Sequence, residues 1–323
     1  MTKVISDYQG YIEAAISDFK LPKTPENLYE PISYFLSIGG KRMRPILALM
    51  GAELFDTHFE KAKSAALAVE LFHNFTLIHD DIMDVAPLRR GHETVHKKWN
   101  ENIAILSGDT LIIEAYKQLC NYQPETLAKL LPLFNQTATE VCEGQQWDMD
   151  FETLDKVEIE SYLKMIAYKT AVLLGCSLKM GAIVADASES DANDLYQFGV
   201  NLGVAFQIQD DILDVYADQN KFGKQVGGDI IANKKTFLLL TALEDANRSQ
   251  KERFEALFNE KDLSLKVTGI KALYAELNIK EKSTLKMNSF HEIAIKKLDN
   301  IAVEESKKTE LRELAKFLLG REH

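Results

Sequence analysis

Apolar residues recur in this chain at intervals of three and four almost from end to end. Between positions 4 and 19 they fall at Val4, Ile5, Tyr8, Ile12, Ala15, Ile16 and Phe19, the spacing of one helical face and not the alternation of a strand. Pro22 and Pro25 close this first helix and Gly39 and Gly40 close a second, while Pro45 stands where a first-turn proline opens a third over 46–54. Positions 61–83 read as one long helix that packs through Ala65, Ala66, Ala68, Val69, Phe72, Leu77 and Ile78, and the irregular run 85–92 ends it. Further helices are predicted over 103–121, 125–144, 158–184, 190–216, 235–247 and 250–258, with more from 263 to 319. The pattern predicts an all-α protein. Nothing in it separates two cores, so 1–323 is expected to be a single domain.

Composition sharpens that expectation. Glycine and proline number 16 and 7 in 323 residues, too few for a fold of many short strands and tight turns. The net charge of −11, from 49 acidic against 38 basic side chains, gives no support to a nucleic-acid surface. Cys120, Cys142 and Cys176 are odd in number and lie in apolar helical patterns, which reads as reduced thiols of a cytoplasmic protein. No uninterrupted apolar stretch approaches the ~20 residues of a transmembrane segment, and the first eight residues lack the basic start and apolar core of a signal peptide.

One internal echo changes the picture. Ile78-His79-Asp80-Asp81-Ile82-Met83-Asp84 is repeated as Ile208-Gln209-Asp210-Asp211-Ile212-Leu213-Asp214, each at the end of a long apolar helix. At 3.6 residues per turn the first and third aspartates share a face. Such carboxylates repel one another and oppose the negative end of the helix dipole unless a cation binds. Oxygen donors without histidine or cysteine at ligand spacing favour a hard ion, and Mg²⁺ takes one or two carboxylates together with water and phosphate oxygens. The metal therefore predicts a phosphorylated ligand. The basic residues agree: Gly39-Gly40-Lys41-Arg42-Met43-Arg44-Pro45 sets three cations at a helix start, where an anion is favoured, Arg89-Arg90-Gly91 follows the first cluster, and Lys224, Lys234 and Lys235 follow the second. No nucleotide-binding glycine pattern is present.

With these motifs in this order, together with Leu71 to His79, Gly144-Gln145, Lys169-Thr170, Phe206-Gln207, Gly223-Lys224, Gly227-Gly228-Asp229 and Asn233 to Thr236, the chain resembles the trans-type (head-to-tail) isoprenyl diphosphate synthases, the polyprenyl synthetases. The resemblance implies an isoprenoid-synthase-like helical bundle around a central cavity, with both clusters at its mouth. By matching motif, Asp80, Asp81, Asp84, Asp210 and Asp214 would hold Mg²⁺, three ions with diphosphate bound. Arg89, Lys169, Lys224 and Lys235 would hold the allylic diphosphate (dimethylallyl, geranyl or farnesyl), and Lys41, Arg44, His73 and Arg90 isopentenyl diphosphate. Thr170, Phe206, Gln207 and the Lys169 carbonyl suit the neighbourhood of an allylic cation, which needs acceptors and a π face but no nucleophile.

The resemblance further implies a homodimer, for which the apolar segments 103–120 and 125–144 offer packing surface. It also implies that bulk upstream of Asp80 limits product length. Phe75, with small Thr76 beside it and Phe72 one turn deeper, resembles geranylgeranyl-forming enzymes, with farnesyl or longer products as alternatives. An ideal helical wheel sets Thr76 about 40° and Phe75 about 140° from Asp80, so the choice of Phe75 rests on the resemblance alone. A terpene cyclase would have no use for the anion pocket of Lys41, Arg44 and Arg90. A non-catalytic partner subunit typically loses the aspartates, and both clusters are intact here.

Overall fold

Helices follow one another with short breaks, as the periodicity requires. The computed structural model describes residues 3–217 and 227–320, residues 3 and 4 by their backbone alone. In order they are α1 (Lys3–Ser17), α2 (Glu26–Ser37), α3 (Met43–Glu53), a 3₁₀ turn (Phe59–Ala62), α4 (Lys63–Met83), α5 (Val95–Lys98), α6 (Glu101–Leu119), α7 (Pro124–Thr153) and α8 (Ile159–Ile166). A π turn (Ala167–Ala171) then leads to α9 (Val172–Val184), α10 (Glu189–Tyr216), α11 (Gly228–Ile231), α12 (Phe237–Asp245), α13 (Arg248–Phe258), α14 (Leu263–Glu276), α15 (Ile279–Asn300) and α16 (Glu305–Leu319). Among the described residues the one sheet is a hairpin of two-residue strands, β1 (Leu88–Arg89) and β2 (His92–Glu93), inside the run expected to be irregular. The all-α expectation holds.

By their contacts the residues group into two compact units. The first comprises 1–135, 176–196 and 302–310, and the second 136–175, 197–301 and 311–323. In the first, α3 is buried on nearly every side from Pro45 to Ala52, because its chemistry is apolar all round and it packs closely on its neighbours. A Cβ at Gly51 would come 2.3 Å from the Leu178 carbonyl oxygen, and one at Gly181 2.1 Å from that of Ala48. Two glycines thus let two helices touch backbone to backbone. In the same unit α4 lies along α6, where Gly108 makes room for the His79 ring.

The second unit has its core in Tyr162, Ile166, Ile208, Ile212, Phe237, Phe254, Ile270 and Tyr274. Two of its helices start on side-chain caps: Asn247 and Gln250 form a reciprocal capping box for α13, and Asp262 accepts from the Ser264 and Leu265 amides of α14.

Two expected boundaries move for a reason. The helix predicted to stop at Gly144 continues to Thr153, because Gly144 is there for contact: a Cβ on it would fall 2.2 Å from the Lys169 amide nitrogen. The helix predicted over 158–184 is interrupted by the π turn at Ala167–Ala171. The run Ile159–Val184 is long and apolar enough to cross a membrane by length and composition, yet 67% of its most apolar window is buried within the protein, as in a core helix. None of the three cysteines is in a disulfide; Cys176 is buried, and Cys120 and Cys142 are exposed.

Candidate active site

The first unit carries the first aspartate cluster at the end of α4. That helix closes with Val85 in the left-handed region (φ 51). The Val85 amide donates to the Ile82 carbonyl (3.1 Å) and the Ala86 amide to the Asp81 carbonyl (3.0 Å), a Schellman closure with a β-branched residue where glycine is usual. Asp84 is exposed, Asp80 half-buried and Asp81 buried, at 1% exposure. Asp81 accepts from Arg89: Nε lies 2.9 Å from both carboxylate oxygens and Nη2 2.7 Å from one.

Cations converge beside it. Of the three read between Gly40 and Pro45, Arg42 turns inward: in left-handed backbone (φ 50) at the start of α3, it donates to Glu13 (2.9 Å), Glu70 (2.5 Å) and the Leu36 carbonyl (2.8 Å). Arg42 is thereby tied to the interior of the unit, and the expected pocket of Lys41, Arg44, His73 and Arg90 does not draw on it. Arg44 Nη1 lies 3.0 Å from His73 Nε2, and since a guanidinium only donates, Nε2 accepts and the ring proton sits on Nδ1. Burial brings Arg44 down to about 10, with Glu70 opposing and Arg90 assisting. Burial, then Arg44, Arg90, Arg89 and Arg42, hold His73 well below the ordinary histidine range. Arg44 Nε is buried with no hydrogen-bond partner. Gly40 (φ 153) lets its backbone meet the Arg90 guanidinium, which a Cβ there would approach to 2.6 Å. Arg44, His73 and Arg90 thus lie together, while Lys41, next to Gly40, is exposed.

Along α4, Phe72 is buried against Phe134 (ring centroids 5.4 Å apart) and Phe75 (5.6 Å). Half-buried Phe75 also meets His79 edge to face at 4.7 Å, and the Thr76 hydroxyl donates to the His73 carbonyl (2.8 Å).

The second unit carries the second cluster at the end of α10. Asp210 is exposed, and Asp211 is buried. The Tyr162 hydroxyl (2.6 Å) and the Phe237 amide (3.1 Å) donate to its Oδ2. Burial pushes Asp211 up to about 7 against these two donors, with Asp229 raising it and Lys234 lowering it. Asp214 caps α11: its Oδ2 accepts from the Asp229 amide (3.0 Å) and its carbonyl from the Gly227 amide (2.7 Å). Lys169 pairs with Asp148 in the π turn that also holds half-buried Thr170. That turn lies between Gly144 and Gly203, whose Cβ would sit 2.7 Å from Ala171. Phe206 and Gln207 are half-buried on α10. Lys235 Nζ donates to the Glu152 carbonyl (3.3 Å), and Lys224 lies outside the described residues.

Several partners here escaped the sequence reading. Asp148 had a signal, since the helical period continued past Gly144 puts it on that residue's face. Tyr162 and Glu70 had none that spacing could supply, and Asp229 stood in the Gly227-Gly228-Asp229 motif without a role of its own. Lys234, read only as one of a basic set, is the cation whose charge acts on Asp211. Among the described residues no three carboxylate, imidazole or thiol groups converge into a ready metal cage. The donor set is of outward carboxylates, which fits an ion that keeps water and takes phosphate oxygens as its remaining ligands.

Comparisons with known proteins agree with this chemistry. The Polyprenyl synthetase family profile matches residues 25–277. The chain is 41% identical over 242 residues to a geranylgeranyl diphosphate synthase of Methanosarcina mazei, covering 74% of this chain and 75% of that one. It is 35% identical over 326 residues to the geranylgeranyl pyrophosphate synthase of Geoglobus acetivorans, covering 100% of both. A crystal structure of a geranylgeranyl pyrophosphate synthase from Pyrococcus horikoshii superimposes with a TM-score of 0.88 at 35% identity, over 99% of this chain and 95% of that one. The chain belongs to the polyprenyl synthetase family, and it is an isoprenyl diphosphate synthase, a prenyltransferase with the all-α isoprenoid synthase fold. Enzymes of this family are generally Mg²⁺-dependent and use isopentenyl and allylic diphosphates.

Proposed function

We propose that this enzyme condenses isopentenyl diphosphate with an allylic diphosphate to give geranylgeranyl diphosphate. The observation that carries the reading is the cationic group of half-buried Arg44 and His73 with exposed Arg90, in which Arg44 Nε is buried without a hydrogen-bond partner among the described residues, a second anion site beyond any that the aspartates serve. Lys41, Arg44, His73 and Arg90 bind the diphosphate of isopentenyl diphosphate there, and neutral His73 acts as a donor through Nδ1. Arg89, Lys169, Lys224 and Lys235 hold the allylic diphosphate, with Lys234 added by its proximity to Asp211.

Asp80, Asp84 and Asp210 are the direct Mg²⁺ ligands in this reading. The exposure of Asp84 and Asp210 supports it, with half-buried Asp80 in the same cluster as Asp84; Asp81 and Asp214, which also accept from Arg89 and from the Asp229 amide, stand behind them. Mg²⁺, three ions with diphosphate bound, supplies charge neutralisation to the departing diphosphate. The allylic C–O bond breaks with its electron pair going to the diphosphate. The isopentenyl double bond then attacks the allylic carbon, and a proton passes to pyrophosphate as the new double bond forms. Thr170, Gln207, the Lys169 carbonyl and Phe206 face the cation with oxygen lone pairs and a π face, none of them a group that would trap it.

Residues 1–323 are read as one polyprenyl synthetase domain, since the family match runs through segments of both units. We infer a homodimer paired through α6, which exposes Ile105, Leu106 and Ile113 along one face. A monomer by light scattering at micromolar concentration overturns that. Three cysteines outside any disulfide support a cytoplasmic location.

Product length is read from Phe75, because Phe72 is already packed on Phe134 while Phe75 is less enclosed. The test is product chromatography after turnover of labelled isopentenyl diphosphate with each allylic primer. Geranylgeranyl diphosphate is expected from the native enzyme and a longer product from Phe75→Ala. An unchanged distribution in an active Phe75→Ala enzyme places the floor elsewhere.

A further inference from the structure

Lys266 is buried, at 4% exposure, in helix α14. Its ammonium group donates to two main-chain carbonyls, Ile231 at 3.1 Å and Phe258 at 3.4 Å. These are the last residues of α11 and α13, where unsatisfied carbonyls and the negative end of the helix dipole collect. A buried charge without such partners would be strongly unfavourable, so the lysine and the two helix ends hold each other.

Helix α11 is a single turn, too short to persist by its own hydrogen bonds. At its front, Asp214 accepts the Asp229 and Gly227 amides. Beneath that front lies Val267, whose Cγ1 would come 3.2 Å from a Cβ on Gly227. At its rear stands Lys266, the residue before Val267. Past the rear, Asn233 in left-handed backbone donates to the same Phe258 carbonyl (3.3 Å), and the Lys234 amide returns to the Asp229 carbonyl (2.9 Å). The turn is therefore clamped between an aspartate of the second cluster and Lys266, and its exit delivers Lys234 and Lys235.

We propose that Lys266 is a positioning residue of the diphosphate site: by joining the C-terminal carbonyls of α11 and α13 it fixes the turn that sets Asp214, Lys234 and Lys235. This rests on the reading that those residues serve a metal-bound diphosphate. The probe is inorganic pyrophosphate with Mg²⁺, titrated calorimetrically into the full-length enzyme and its variants, alongside KM and kcat for both substrates. Lys266→Met, of similar length but without donors, is expected to weaken pyrophosphate binding about tenfold, as the loss of a charge-assisted bond would. The KM for the allylic substrate should rise with it while that for isopentenyl diphosphate stays unchanged, and Lys266→Arg, which restores donors, should recover most of both.

Pyrophosphate affinity in Lys266→Met within twofold of native overturns the proposal whatever the melting temperature does, and so does an equal rise in both KM values. If Lys266→Met does not fold, Lys266→Gln, which keeps a donor, takes its place and must show the same ordering. A native enzyme that binds pyrophosphate but condenses no isopentenyl diphosphate refutes the proposed reaction alone, and the Lys266 titration still decides the proposal.

Discussion

The two aspartate clusters share a sequence pattern and differ in how the protein handles their middle carboxylate. Asp81 and Asp211 are both buried and both serve as tethers for chain that follows, leaving outer aspartates nearer to solvent. Asp81 receives a full counter-charge from Arg89, eight residues on. Among the described residues Asp211 accepts hydrogen bonds from two neutral donors, the Tyr162 hydroxyl and the Phe237 amide, with the Lys234 charge acting on it as well, and burial lifts it to about 7. One cluster pairs its middle charge with a cation, and in the other burial shifts the middle carboxyl toward its neutral form. A repeated motif thus fixes the outward carboxylates and leaves the inward one to its surroundings.

The largest expected effect treats both clusters alike. Asp80→Ala and Asp210→Ala should each lower kcat by a factor on the order of 10³, the scale of losing an electrostatic group that acts on the transition state. Neither should melt at lower temperature, because each removes a like charge from its cluster. Near-native turnover in either, measured at saturating Mg²⁺, would remove that cluster from the reaction.

The anion pocket of the first unit should separate the halves. Arg44→Ala is expected to raise the KM for isopentenyl diphosphate by about 10- to 100-fold, as the loss of a charge-assisted bond does, with much less effect on the allylic KM. Equal effects on both constants would mean that the two diphosphates have been assigned to the wrong residues.

The middle aspartates give a smaller and more pointed contrast. In metal-free protein at neutral pH, Asp81→Asn strands the Arg89 guanidinium and should cost about 2 kcal/mol in urea unfolding, the range of a broken charge-assisted contact. Asp211→Asn keeps an acceptor for both neutral donors and should cost less than about 1 kcal/mol. Similar losses would erase the distinction.

The pH dependence follows from the same difference. The Asp211 carboxyl is raised from 3.8 to about 7 in the fold, so between those values the native state holds a proton that the unfolded chain has released. Its contribution is fully present below the unfolded value and is lost as pH rises through about 7. Metal-free native protein should therefore lose stability relative to Asp211→Asn as pH increases from about 5 to 8. A difference that stays flat over that window would show that Asp211 does not titrate there.

Most of the fold was legible because helices bury one stripe, and the stripe is written at every third and fourth position. The functional motifs were legible as residue types at fixed spacing. What spacing could not convey was direction. Arg42 and Arg44 lie two apart in one basic run, yet Arg42 points to Glu13 and Glu70 while Arg44 remains with His73. Nothing in the sequence marks Lys266, since only tertiary contact brings two helix ends to it. Gly144 reads as a stop because glycine usually is one, and its service as a contact surface depends on Lys169 lying against it.

The π turn at Ala167–Ala171 carries a further consequence, about the kinds of genetic change this segment tolerates. A π turn is a regular helix with one residue inserted, so removing any one of those five residues could restore ideal hydrogen bonding. Because the wide turn absorbs the extra residue locally, such a deletion is expected to leave α9 in register with its neighbours. What it would withdraw is the bulge itself, which seats the Lys169 amide against Gly144 and Ala171 against Gly203. Chain length across this turn is therefore set by the placement of Lys169 and Thr170 and not by the packing of the core.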